Sequence, residues 1–96
     1  MTYELAFHPA ALEEWRKLDA SLRTQLKKKL EERLQNPRVP AARLSGAKER
    51  YKIKLRDAGY RLVYEVRDHA LVVVVISIGK RERNAAYKAA AQRVIE

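Results

Sequence analysis

Eight consecutive residues, Leu71 to Ile78, read Leu-Val-Val-Val-Val-Ile-Ser-Ile, and this run limits the fold more than any other. β-Branched side chains are stiff at χ1 and suit a pleated strand. A strand apolar on both faces must be covered on both, which predicts a central position in a sheet with further layers on either side. The longest wholly apolar run, Ala70 to Ile76, is far too short to cross a bilayer. The chain must bury this strand with what remains of 96 residues, enough for a single core and one domain spanning 1–96.

The segments around that strand supply its neighbours. Upstream, Tyr51, Ile53 and Leu55 alternate with Lys52, Lys54 and Arg56, giving a strand with one apolar and one basic face. After the turn at Asp57-Ala58-Gly59, residues Tyr60, Leu62, Tyr64 and Val66 alternate with Arg61, Val63, Glu65 and Arg67. Asp68-His69 turns the chain into the apolar strand, and Gly79 is expected to end it. Three strands so closely connected form an antiparallel meander. Thr2 to Phe7 reads as a fourth strand that must pair with the meander, because a lone strand is not stable.

Pro9 opens a helix with Ala11, Leu12, Trp15 and Leu18 at helical spacing, and Asp19 or Ser21 caps a second. In that second helix Leu22, Leu26, Leu30 and Leu34 form the buried stripe, and Asn36-Pro37 stops it. The short joint makes the pair an antiparallel hairpin. Residues 37–47 read as a loop, and an alanine-rich helix runs from about Arg83 to the C-terminus. The predicted fold class is α+β: strand, helical hairpin, three-strand antiparallel meander, C-terminal helix, with a sheet of four strands.

Charge narrows the function. The 21 Lys and Arg against 12 Asp and Glu give a net +9. Residues 1–42 contribute +2 of this and residues 43–96 contribute +7. A field of that sign draws phosphates or an acidic protein partner. Period two places Lys52, Lys54 and Arg56 on one strand face, and a hairpin partner sharing the apolar face of Ile53 and Leu55 adds Arg61 to it. Gly79-Lys80-Arg81-Glu82-Arg83 follows the central strand, with Tyr87 one helical turn later. Gathered like charges destabilise the fold unless a polyanion sits among them. Taken singly, each of these cations reads as a solvated residue protecting a sheet edge; together they point to nucleic acid.

Other chemistries have little to work with. There is no cysteine, and His8 and His69 are far apart, so no disulfide and no zinc site is expected. His8, before Pro9, reads as a helix cap, His69 as a turn residue and Trp15 as core. Met1-Thr2-Tyr3-Glu4-Leu5 has no basic segment followed by an apolar one. A cytoplasmic protein without membrane, metal or cofactor is the expectation.

The sequence closely resembles the RelE toxins of bacterial toxin–antitoxin pairs. The resemblance lies in Leu12 to Leu18, Gln25 to Leu30, Tyr51 to Arg56, Gly59 to Tyr64 and Val75 to Arg83, the last three segments being the more specific. It implies an endoribonuclease that enters the ribosomal A site, cuts mRNA there and is silenced by a cognate RelB-like antitoxin. It also implies that Lys52, Lys54, Arg61, Arg81 and Tyr87 are the catalytic side chains. Arg43, Lys48, Arg50, Arg56, Lys80 and Arg83 are expected to contact RNA or the ribosome. Ser45 departs from members that carry arginine there, which puts one phosphate contact in doubt.

Attack by the ribose 2′-OH needs a base, charges for the phosphorane and an acid for the leaving oxygen. Crowded cations are expected to lower a lysine's pKa and to stabilise a tyrosinate, so Lys52, Lys54 and Tyr87 are all base candidates. Arg81 would stabilise charge and protonate the leaving group, and Tyr87 could instead stack on a nucleotide. Two other readings stay open: a non-enzymatic toxin resembling the gyrase-poisoning ParE branch, which is expected to lack this lysine–arginine–tyrosine set, and a plain RNA-binding module.

Overall fold

The computed structural model describes residues 2–44, 46, 49–80, 82 and 85–93. In chain order the elements are β1 (Glu4–Phe7), α1 (Pro9–Arg16), α2 (Ala20–Gln35), β2 (Arg50–Leu55), β3 (Tyr60–Arg67), β4 (Val72–Lys80) and α3 (Ala85–Gln92). The four strands form one mixed sheet in the order β1-β4-β3-β2. β1 runs parallel to β4, and the other two pairings are antiparallel. The apolar run is therefore an inner strand, as its composition requires.

Local chemistry starts each helix where the sequence places it. His8 Nδ1 accepts a hydrogen bond from Ala10 N at 3.1 Å, with Pro9 in the first helical position. Asp19 caps α2 through Leu22 N at 2.9 Å. The helical pair lies on one face of the sheet. Leu26 and Leu30 are fully buried there against Ile53, Leu62, Tyr64, Val73 and Val75, with Leu22 and Leu34 at the margin of the cluster. Trp15 is half-buried and tilts against Phe7, ring centroids 5.4 Å apart. α3 covers the opposite face, where Val63, Val74, Ile76 and Ala90 make a smaller core.

The sequence reading needs adjustment at several boundaries. β1 begins at Glu4, and Leu71 belongs to a left-handed turn (φ 51°) before β4. β4 runs through Gly79 to Lys80. The segment read as a loop contains a short 3₁₀ turn, Pro40–Ala42, and a bridge between Arg43 and Tyr51. α3 is described from Ala85 and ends at Gln92, with Arg93 beyond it; the expected helical residues Arg83 and 94–96 lie outside the described residues.

One irregularity decides what the site contains. Val63 pairs with Ser77, but the next residue, Tyr64, pairs with Val75, leaving Ile76 as the extra residue of a β-bulge. Val73 and Val75 face the helical pair, as Ile78 does beyond the bulge. Ile76 packs on the α3 side, and Ser77 also turns there, donating from Oγ to Ala86 O at 2.6 Å. The strand changes phase, and Gly79 comes to lie under the start of α3. A Cβ on Gly79 would meet Ala86 N at 3.4 Å.

Candidate RNA-cleaving site

Cross-strand register builds the site. Lys54 pairs with Arg61, Lys52 with Val63, and Arg61 in turn with Gly79. Because paired residues share a face, Lys52, Lys54 and Arg61 stand on the α3 side of the sheet. α3 packs on β3 and β4, so the lysines of β2 stand beside it. Its Tyr87 ring meets the Arg61 guanidinium, with Cζ 5.0 Å from the ring centroid, a cation–π contact.

Two of the candidate proton-transfer groups, Lys54 and Tyr87, are tuned in opposite senses. The charge of Lys52 is the main influence lowering the pKa of Lys54 below that of an ordinary lysine, aided by partial desolvation, Arg61 and Arg56. Burial pushes the Tyr87 hydroxyl up, and the neighbouring Arg61 opposes this only in part. The expected stabilisation of a tyrosinate is thus not met: desolvation outweighs the nearby cation. Tyr87 Oη is buried and makes no hydrogen bond of normal geometry among the described residues, the Arg61 guanidinium being the polar group close enough to act on it.

Two clefts open at the β2–β3 turn. One, of about 230 Å³, is lined by Lys54, Leu55, Arg56, Gly59, Tyr60 and Arg61. The other, of about 320 Å³, is lined by Arg56, Asp57, Ala58, Gly59, Lys80 and Glu82. Arg56 and Gly59 belong to both, so the clefts adjoin, and they link Lys54 and Arg61 to the exposed cations Arg56 and Lys80. Asp57 and Glu82 interrupt the positive lining.

The remaining sequence-nominated residues divide into three groups. Arg43 is exposed and bridges to Tyr51 on β2. Arg81, Lys48 and Arg83 lie outside the described residues, as does Ser45. Arg50 is not presented to solvent. Its Nε donates to Glu65 at 3.1 Å, and its two terminal nitrogens donate to Ala90 O at 2.5 Å and Arg93 O at 2.8 Å. Ser77 was not anticipated as part of this region, nor was the packing of Gly79 beneath α3. A lone serine in an apolar strand was the available signal, since a buried hydroxyl must find a partner.

Comparison with known proteins bears on the family and the fold. Residues 5–85 match the family model described as the ParE toxin of the type II toxin–antitoxin system parDE. The chain is 55% identical over 95 residues to the mRNA interferase toxin RelE of Escherichia coli K12, covering 99% of this chain and 100% of that one. This chain belongs to the RelE/ParE toxin superfamily, on its RelE branch. A free RelE of Escherichia coli carrying two arginine-to-alanine substitutions superposes on it with a TM-score of 0.90 at 53% identity, over 99% of this chain and 100% of that one. The RelE subunit of the intact Escherichia coli RelBE toxin–antitoxin complex matches at a TM-score of 0.81 and 58% identity, over 84% of this chain and 99% of that one. The α+β architecture expected of a RelE toxin is the one observed. Among the described residues no helix is long and apolar enough to cross a membrane.

Proposed function

We propose that this RelE-type chain, as a single toxin domain over residues 1–96, is a ribosome-dependent endoribonuclease. It cuts mRNA in the ribosomal A site by 2′-OH attack, leaves a 2′,3′-cyclic phosphate and so halts translation. A cognate RelB-like antitoxin neutralises it, and it works in the cytoplasm without metal or cofactor. The observation that carries this reading is the meeting of Lys52, Lys54, Arg61 and Tyr87 on one sheet face, in a chain 55% identical over its length to a named mRNA interferase.

The roles follow from charge and protonation. Lys54, the amine easier to deprotonate than usual, takes the 2′-OH proton. Lys52 stands beside the phosphate and, as the chief like charge acting on it, lowers the Lys54 pKa. Arg61 offers planar donors to the phosphorane oxygens. Tyr87, kept protonated by burial, donates to the phosphate or stacks on a base. Arg81 is assigned to the leaving 5′-oxygen on the family resemblance. Arg43, Lys48, Arg56, Lys80 and Arg83 add non-specific attraction for RNA. None of these groups is a strong acid or base near neutrality, so alignment of the mRNA by the ribosome supplies much of the rate.

Purified protein added to programmed ribosomes tests the reading: new mRNA ends inside the A-site codon, bearing cyclic phosphate, are expected. A 3′-hydroxyl paired with a 5′-phosphate would refute the 2′-OH mechanism. The ParE description of the matching family model carries the alternative of a gyrase poison, and intact mRNA together with gyrase inhibition would favour it.

A further inference from the structure

We infer that Arg50, together with the Arg93–Glu14 ion pair, positions Tyr87 for the reaction, an inference that rests on the role given to Tyr87 above. Among the described residues α3 spans Ala85–Gln92, a length at which a helix depends on tertiary support. Its buried positions are Ala86 and Ala90, side chains that bring little apolar area. Polar anchors must therefore hold it, and they sit at its two ends. At the start, Ser77 Oγ donates to Ala86 O. At the finish, the Arg50 fork grips Ala90 O and Arg93 O. These carbonyls lie in and just beyond the last turn of the helix, where a cation is favoured; Ala90 O also accepts from Arg93 N at 3.1 Å, so the fork reinforces that last turn.

Arg93 extends the hold to the opposite layer. Its guanidinium donates to Glu14 of α1 at 2.7 Å and to Ile76 O at 2.8 Å, and Glu14 Oε1 accepts from Ile78 N at 3.0 Å. β1 pairs with β4 only over Val72–Val75. Beyond that point the ion pair occupies the β4 groups that a longer β1 would have bound. Arg50 is itself fixed by Glu65, and the two side chains are only 14% and 19% exposed. Tyr87 lies between the two anchors, with its ring against Arg61 and no hydrogen bond of normal geometry from its hydroxyl among the described residues. Its position is set by the helix, and the helix end is set by Arg50.

A displacement of about 1 Å in a reacting group can cost on the order of 10²-fold in rate. Arg50→Ala is therefore expected to lower kcat on programmed ribosomes by about 10- to 100-fold, corrected for the folded fraction, with KM unchanged. Arg50→Lys keeps the charge but cannot grip two carbonyls with one fork, so it should fall between wild type and Arg50→Ala. The double variant Arg50→Ala/Tyr87→Phe should be no slower than Tyr87→Phe alone, because both act through one group. In free protein with ¹³C-labelled tyrosines, the Tyr87 resonance, identified by its loss in Tyr87→Phe, should move in Arg50→Ala and less in Arg50→Lys.

An unmoved Tyr87 resonance would overturn the inference whatever the activity, and so would additive losses in the double variant. A raised KM with a shallower salt dependence would do the same, since that marks a direct RNA contact by Arg50. If Arg50→Ala shifts the Tyr87 resonance but wild type cleaves no mRNA, the clamp stands and the nuclease reading fails.

Discussion

Replacing Tyr87 by phenylalanine removes one oxygen and should separate function from folding more sharply than any other change here. The ring stays, with its packing on the α3-side core and its contact with Arg61. The hydroxyl that leaves is buried without a hydrogen-bond partner among the described residues. A buried group in that condition costs roughly 1–3 kcal/mol. Tyr87 as a residue is only half-buried, so the lower end applies, and Tyr87→Phe should gain up to about 1 kcal/mol. For a domain of this size that is a rise in Tm of roughly 4–8 °C. Activity should move the other way, by on the order of 10²–10⁴-fold in single-turnover rate, the range for a positioned proton-transfer group. At about 1.4 kcal/mol per tenfold, that is roughly 3–5.5 kcal/mol of lost transition-state stabilisation. Single-turnover mRNA cleavage on programmed ribosomes, run beside thermal melts, measures both. Full activity in Tyr87→Phe would remove Tyr87 from the mechanism. A drop in Tm of several degrees would show that the hydroxyl has a structural partner and refute the stability argument.

Other consequences are equally open to measurement. Lys52 is the chief cause of the lowered Lys54 pKa, so Lys52→Gln should move the alkaline-rising limb of the pH–rate profile to higher pH; an unmoved limb would exclude Lys54 as the base. Asp68 accepts from Arg38 at 2.6 Å and from Tyr3 at 2.6 Å, and Arg38 chiefly, then Tyr3, holds its carboxyl below the ordinary range. A depressed carboxyl pKa stabilises above the unfolded value and loses that contribution as pH falls through the folded one. Melts of wild type and Asp68→Asn should therefore differ near neutrality and converge in acid. Leu26→Ala should cost roughly 2–5 kcal/mol in denaturant titrations, with cleavage falling only as the folded fraction does. Residual cleavage of free RNA at high protein concentration should survive excess chelator; its abolition there would point to a metal-assisted route.

Much of the fold was legible in the chain because it depends on local chemistry and short-range periodicity. Composition alone marked an inner strand at 71–78, which the structure places at Val72–Lys80. Four-residue leucine spacing marked the inward side of α2, His8 was read as a cap, and of the two cap candidates Asp19 and Ser21 the structure uses Asp19. The Lys54–Arg61 pairing followed from alternation once the turn at 57–59 was seen, since paired residues of a hairpin must share a face.

Tertiary structure decided what alternation cannot carry past an irregularity. Strict period two would turn Ser77 and Gly79 toward the helical pair. The bulge at Ile76 adds one residue and reverses that phase, bringing Ser77 beneath Ala86 and Gly79 beneath the start of α3. Nothing in the strand's own sequence marks the bulge, because Val, Ile and Ser suit either face. The sequence likewise nominated Arg50 as an RNA or ribosome contact. Only the approach of the α3 carbonyls and Glu65 turns it inward. The Tyr87 hydroxyl shows the same division: sequence could bring it near cations, but its protonation depends on burial, and burial depends on how the whole chain closes over the site.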